Sequence, residues 1–338
     1  MFGKTKCSSL LIAAAATALF LGGACGDGED RPGQVTSENS TGSGSGSGSA
    51  SASASGAGGE TTTGDDGYTP VSDVAQHAAL GDDVATIKER LAVAKEGGPV
   101  DWAAVRSTWE KGGASKKGDG SNRTLKTLVE APDVVVAVEA AIAGGPSDAV
   151  RAQQVEKGIT VLLARKVVDE LDAATDKVAD GKTAAADGAP HNIDEGWAFF
   201  TAKGHGPAAT ADKRAADFDL EGKVREPIVA ALTEAQKAAG AGDAAALTAA
   251  SAKVRQGLDY VFYLATHKYL AADDAVGRAE GAAFYLGIQP RVKAADAAAD
   301  EAIVAAFESG DEAAGRAALH RGPVLAAIAV EAGERVDS

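Results

Sequence analysis

The stretch Asn192-Ile193-Asp194-Glu195-Gly196-Trp197-Ala198-Phe199-Phe200 returns 85 positions later as Glu280-Gly281-Ala282-Ala283-Phe284-Tyr285. Both copies read Glu-Gly-x-Ala-Phe-aromatic, and an apolar run precedes each. Gly158-Ile159 with Val161, Leu162 and Leu163 comes before the first; Gly257-Leu258 with Val261, Phe262 and Leu264 comes before the second. The repeated unit is therefore read as a helix pair, and units of this kind bury their apolar faces by packing on one another. An all-α helical bundle with an internal helix-pair repeat is expected.

Working outward, the apolar spacing stays helical. Val155, Ile159, Leu162, Leu163, Val167 and Leu171 make one face, and Val254, Leu258, Val261, Phe262 and Ala265 another. Starts are expected at Pro132, Pro146, Pro290 and Pro323, with Pro227 opening a further helix. Stops are expected at Gly97-Gly98, Gly112-Gly113 and Gly144-Gly145. Two segments read as irregular, Lys111 to Thr124 and Lys182 to His191.

The N-terminal part has a different character. Residues 1–25 carry Lys4 and Lys6, an apolar run from Leu10 to Leu21, then Gly22-Gly23-Ala24-Cys25. That pattern is a signal peptide ending in a lipobox-like site, with Cys25 as the acylated residue, although Leu21 stands one position further from it than usual. The run is shorter than the roughly 20 residues a membrane span needs. Residues 26–67 are rich in Gly, Ser, Thr and Asp, cannot form a core, and are expected to be a disordered tether reaching on the order of 30–40 Å. Residues 68–338 remain for the folded domain. Cys7 and Cys25 are the whole cysteine complement, so neither a disulfide nor thiol chemistry is expected in the exported domain.

Charge narrows the partners. The chain carries a net −15, and loss of Lys4 and Lys6 with the signal leaves 31 basic residues against 48 acidic ones, or −17. Nucleic acid and anionic lipid surfaces suit that balance poorly, and cations suit it well. No Gly-x-Ser-x-Gly, His-Glu-x-x-His, phosphate-binding loop or dinucleotide fingerprint occurs, so an enzyme is not expected.

The repeat nominates Glu195 and Glu280 as a pair of acids near a common axis. Two carboxylates desolvated together repel unless a proton or cation lies between them, which makes one shared cation site the expectation. A structural alternative exists for Glu195, because Asn192 three residues earlier would make a capping box. It suits Glu280 less well, since the caps Asp273 and Asp274 place that residue inside its helix. Asp259, Tyr263 and His267 stand at i, i+4 and i+8, and oxygen with imidazole donors suits iron or manganese. Glu156 lies beside Gly158 in the first unit.

Several motifs together resemble one family. Tyr68-Thr69-Pro70, Val74 to His77, Trp109-Glu110-Lys111-Gly112, the turn from Asp119 to Leu125, Glu156-Lys157-Gly158-Ile159 and His191 to Phe200 are similar to the low-iron-inducible periplasmic proteins. These are algal iron-assimilation proteins and their bacterial relatives. The resemblance covers most of residues 68 to 300 and implies an exported, non-enzymatic protein that helps capture iron, with no organic cofactor. His77 and Glu195 lie in the shared motifs; Glu280 enters through the internal repeat. The lipobox and tether depart from the secreted algal pattern and point to a lipid-anchored protein of the bacterial envelope, at the periplasmic or outer-membrane face. An envelope iron transporter is then a possible partner. The competing expectation is a helical scaffold lipoprotein that binds a partner and no metal.

Overall fold

A computed structural model of the chain describes residues 67–331 and 334–336. The expected signal peptide, the Cys25 anchor and all of the expected tether except Gly67 lie outside them. The described residues are helical, and the one β feature among them is an isolated bridge between Lys116 and Asn122. In chain order the helices are α1 (Ala75–Ala78), α2 (Leu80–Ala92), α3 (Trp102–Lys111), α4 (Pro132–Ala143), α5 (Asp148–Ala179), α6 (Ala189–Thr201) and α7 (Pro207–Asp217). There follow α8 (Arg225–Ala241), α9 (Ala244–Leu270), α10 (Ala275–Tyr285), α11 (Gln289–Ala295), α12 (Ala297–Ser309), α13 (Glu312–Leu319) and α14 (Gly322–Ala327).

Part of the acidic surplus is spent on starting these helices. Asp101, Ser147, Asp243, Asp274, Asp296 and Asp311 each accept a backbone N–H two or three residues further on. Such a cap contributes about 1 kcal/mol. Pro132, Pro290 and Pro323 lie in first turns and Pro227 opens α8, as expected. Pro146 does not: Ser147 caps α5, so the proline precedes the helix. Gly112 and Gly144 end α3 and α4.

Helix α5 is the spine, 32 residues long, with Val155, Ile159, Leu162, Leu163, Val167 and Leu171 all buried. It packs against α4, α6, α10, α2 and α9. Helix α9 buries Val254, Leu258, Val261, Phe262 and Ala265 against α8, α10 and α7.

The repeat is present and is longer than a helix pair. A Cβ on Gly158 would overlap Val138 of α4, and one on Gly257 would overlap Ile228 of α8. Each glycine thus lets the preceding helix approach closely. Twelve residues after each, Glu170 of α5 and Tyr269 of α9 meet the glycines of the repeated motif, Gly196 of α6 and Gly281 of α10. The unit is α4–α5–α6, repeated as α8–α9–α10.

Asp194 fixes the segment before α1. Its carboxylate is fully buried and accepts from Tyr68 Oη (2.7 Å), Ser72 Oγ (2.7 Å), the backbone N–H of Val71 and Ser72 (both 2.9 Å) and Gln236 Nε2 (2.6 Å). Five donors on one buried carboxylate hold residues 68–72 against α6 and α8. The Tyr68 ring stacks on Trp197 at 4.5 Å.

Candidate functional site

Helix α6 begins at Ala189, with Gly188 as its cap residue and Pro190 in the first turn. Asn192 therefore lies inside the helix, and the capping box offered as the structural alternative for Glu195 does not form. Its Nδ2 instead donates to Glu170 Oε2 at 2.5 Å. The early start also places His191 one turn before Glu195 on the same face, with His191 Nε2 3.0 Å from Glu195 Oε1. From α1, His77 Nε2 reaches the same oxygen at 2.9 Å. From α5, Glu170 supplies a second carboxylate and is salt-bridged to Lys166 at 2.8 Å.

Each imidazole is oriented by what surrounds it. His191 Nδ1 meets Ser72 Oγ at 2.8 Å, which ties it to the Asp194 network. The His77 ring lies edge-on to Phe199, and its Nδ1 is buried with no hydrogen-bond partner among the described residues. Arg123 Nη2 is 2.7 Å from His77 Nε2. That nitrogen cannot accept from Arg123 and donate to Glu195 together, so it is either bare towards arginine or protonated towards glutamate.

The two carboxylates are pushed apart. Burial first, then the charge of Glu195, raises the Glu170 carboxyl above its ordinary range. Burial works against the charge of Glu195 too, but the hydrogen bonds from His77 and Glu170, and then the two nearby imidazoles, outweigh it and hold Glu195 low. A cavity of about 310 Å³, lined in part by His77, Arg123, Lys166, Glu170 and Glu195, opens onto the cluster.

The other expected ligands lie elsewhere. Glu280 does not share a site with Glu195: it pairs with Lys157 of α5 at 3.3 Å, whereas Glu195 faces Glu170 of the same helix. Those two positions are 13 residues apart, roughly 20 Å at 1.5 Å per residue. Matched positions of the repeat thus fall at distant points along the spine instead of on a common axis. Glu156 pairs with Lys157 (3.0 Å) and Lys88 (3.8 Å). Asp259 is salt-bridged to Arg291 and not to either of the other two, Tyr263 and His267. Tyr263 Oη meets His320 Nε2 at 3.1 Å, and His267 stacks on His320 at 5.1 Å between ring centres.

Among the described residues no three His, Cys, Asp or Glu side chains are arranged to hold a metal ion as they stand. At Glu195 both imidazoles face one carboxylate oxygen, Oε1, and not a shared open position beside it. No described helix is long and apolar enough to cross a membrane.

The sequence profile of the low iron-inducible periplasmic proteins matches residues 46–222, just over half of the chain. This chain belongs to the low iron-inducible periplasmic protein family. No curated protein and no solved structure matches it. The family's description connects it with the periplasm and with a response to low iron. In this low iron-inducible periplasmic protein, the matched span contains His77, Arg123, Glu170, His191 and Glu195, whereas Glu280, Asp259, Tyr263 and His267 lie beyond it.

Glu170 and the role of His191 were not singled out from sequence. His191-x-x-x-Glu195 is an i, i+4 pair that was available to find, once the helix start was set at Gly188 instead of Asn192. Glu170 had a weaker signal, a carboxylate next to Leu171 and three residues after Val167 on the buried side of α5.

Proposed function

We propose that the protein is an exported, non-catalytic iron-capture protein, held to the envelope through Cys25, and that it takes iron at the Glu195 cluster. The observation that carries this reading is the placement of two imidazole Nε2 atoms at 2.9 and 3.0 Å from one oxygen of a partly buried carboxylate, with Glu170 beside them. Carboxylate and imidazole are the donor types for iron or manganese. An incoming cation would replace the protons now shared between His77, His191, Glu195 and Glu170, so capture would release protons. Arg123 and Lys166 must then yield their present contacts, which suits a cargo that is taken up and passed on. Iron is the cargo here, and an envelope transporter is the proposed recipient.

The test is thermal unfolding of the metal-free chain with added ferrous or ferric iron. A ligand that binds only the folded state at a hundredfold excess over its dissociation constant stabilises by about 2.7 kcal/mol. The wild type gains this and Glu195→Gln does not. The alternative, a helical scaffold without metal, draws support from the closed pairing of Glu195 with the histidines and of Glu170 with Lys166. It gives no iron-dependent shift in either protein.

A further inference from the structure

The second repeat's glutamate stands at the edge of a different cavity, of about 480 Å³, between α2, α5, α7, α9 and α10. Its lining is basic: Lys88, Lys95, Lys157, Lys213 and Arg214 against Glu156 and Glu280. Five cations against two carboxylates repel one another unless something negative joins them. The two carboxylates present serve mainly Lys157 and Lys88. Lys95 and Lys213 have no hydrogen bond or ion pair among the described residues.

Arg214 supplies the second observation. The residue is 5 % exposed, and only Nη2 is engaged by a carboxylate, that of Asp217 at 2.7 Å. Nε and Nη1 are buried with no hydrogen-bond partner among the described residues. Leaving N–H donors of a buried charge unpaired costs more than an ordinary lost hydrogen bond. The guanidinium is held in place by the rings of Tyr269 and Phe284, with centroids at 5.3 and 6.0 Å.

The start of α7 adds further donors. Gly206 caps this helix without a side-chain hydrogen bond, Pro207 opens it, and Ala209 and Thr210 of its first turn line the cavity. The first N–H groups of a helix and its dipole favour an anion there.

We propose that this cavity binds a small multivalent oxyanion, of the phosphate or polycarboxylate type, between Lys88, Lys213, Arg214 and the first turn of α7. This rests on none of the iron reading, and it gives Glu280 a role opposite to that of Glu195. Glu280 tempers a site for anions, while Glu195 is a ligand for a cation.

The experiment is calorimetric titration of the full chain with inorganic phosphate and, separately, with citrate, at constant ionic strength. Wild type binds at least one of the two; which one binds separates phosphate from polycarboxylate as the ligand class. Lys88→Gln with Lys213→Gln weakens binding at least tenfold, and Arg214→Gln abolishes it. Glu280→Gln tightens it, since a competing charge is gone, and Glu195→Gln leaves it unchanged. Should Arg214→Gln fail to fold, the Lys88 and Lys213 double variant carries the test. Absence of binding by both anions at millimolar concentration, or wild-type affinity in the double lysine variant, overturns the proposal. So does weaker binding in Glu280→Gln.

Discussion

Glu195 and His77 meet at 2.9 Å although α1, which carries His77, is a single turn of helix with no buried residue of its own. What brings them together is the neighbour of Glu195. Asp194 gathers the segment 68–72 through four hydrogen bonds and accepts a fifth from Gln236 of α8, and α1 follows directly from that anchored segment. One residue of α6 thus positions the chain whose histidine the next residue receives.

Removal of residues 1–67 leaves a cooperatively melting helical domain of wild-type stability, because the anchor begins at Tyr68. Removal of residues 1–72 does not. Asp194→Ala, which removes the partner of the same donors, the buried Tyr68 hydroxyl among them, destabilises by about 2–4 kcal/mol. Denaturant unfolding of the three proteins checks this. Equal midpoints for the two truncations would show that the Asp194 network does not hold the domain together.

The two motif glycines respond differently to the same change. A Cβ on Gly281 would overlap the Phe307 ring and lie 2.5 Å from Tyr269 Cβ, so Gly281→Ala costs about 1–3 kcal/mol. A Cβ on Gly196 finds its nearest atom, Glu170 Cβ, at 3.6 Å, an ordinary contact. Gly196→Ala is therefore neutral, or stabilises by up to about 1 kcal/mol through helix propensity. Urea midpoints of the pair decide; a large loss at Gly196 contradicts the packing described here.

His267 makes stability depend on pH. Its ring is buried, and burial first, then the nearby Arg316 and His320, lowers its pKa to about 4. Between that value and the ordinary value of about 6.5 the unfolded chain binds a proton that the folded chain refuses. Unfolding then takes up protons, so stability falls as pH drops from about 6.5 towards 4, with a limiting slope of about 1.4 kcal/mol per pH unit from this group. In His267→Phe the slope over that window is smaller by this contribution. An unchanged slope would mean His267 titrates normally in the folded protein.

The fold was legible because its signals are local. Helical spacing, aspartate caps and first-turn prolines each report on a few neighbouring residues, and α5 and α9 bury the faces expected of them. The repeat was legible as well, through Gly158 and Gly257. Its geometry was not: sequence similarity says that Glu195 and Glu280 have like neighbours, and gives no account of where each unit docks along α5. Lys157 and Glu170 decide that, and nothing in their local sequence announces it. The cluster at Glu195 was half legible. Its acid and His77 were found, whereas His191 was obscured by placing the helix start at Asn192, and Glu170 is joined to Glu195 only by packing.

Cys25 lies outside the described residues, and its lipidation is tested chemically. Cys25→Ala gives soluble or unprocessed protein, while the native N-terminus carries an acyl mass. A variant still in the membrane fraction at mature size, together with an unmodified native N-terminus, would remove the anchor from the account.

The most direct test of iron capture is the metal content of the purified full chain after loading with ferrous or ferric iron and removal of the excess. Wild type and Glu280→Gln retain iron in equal amount, and Glu195→Gln and the His77→Asn, His191→Asn double variant lose it. Iron retained equally by Glu195→Gln, or by no form of the protein at all, contradicts the account.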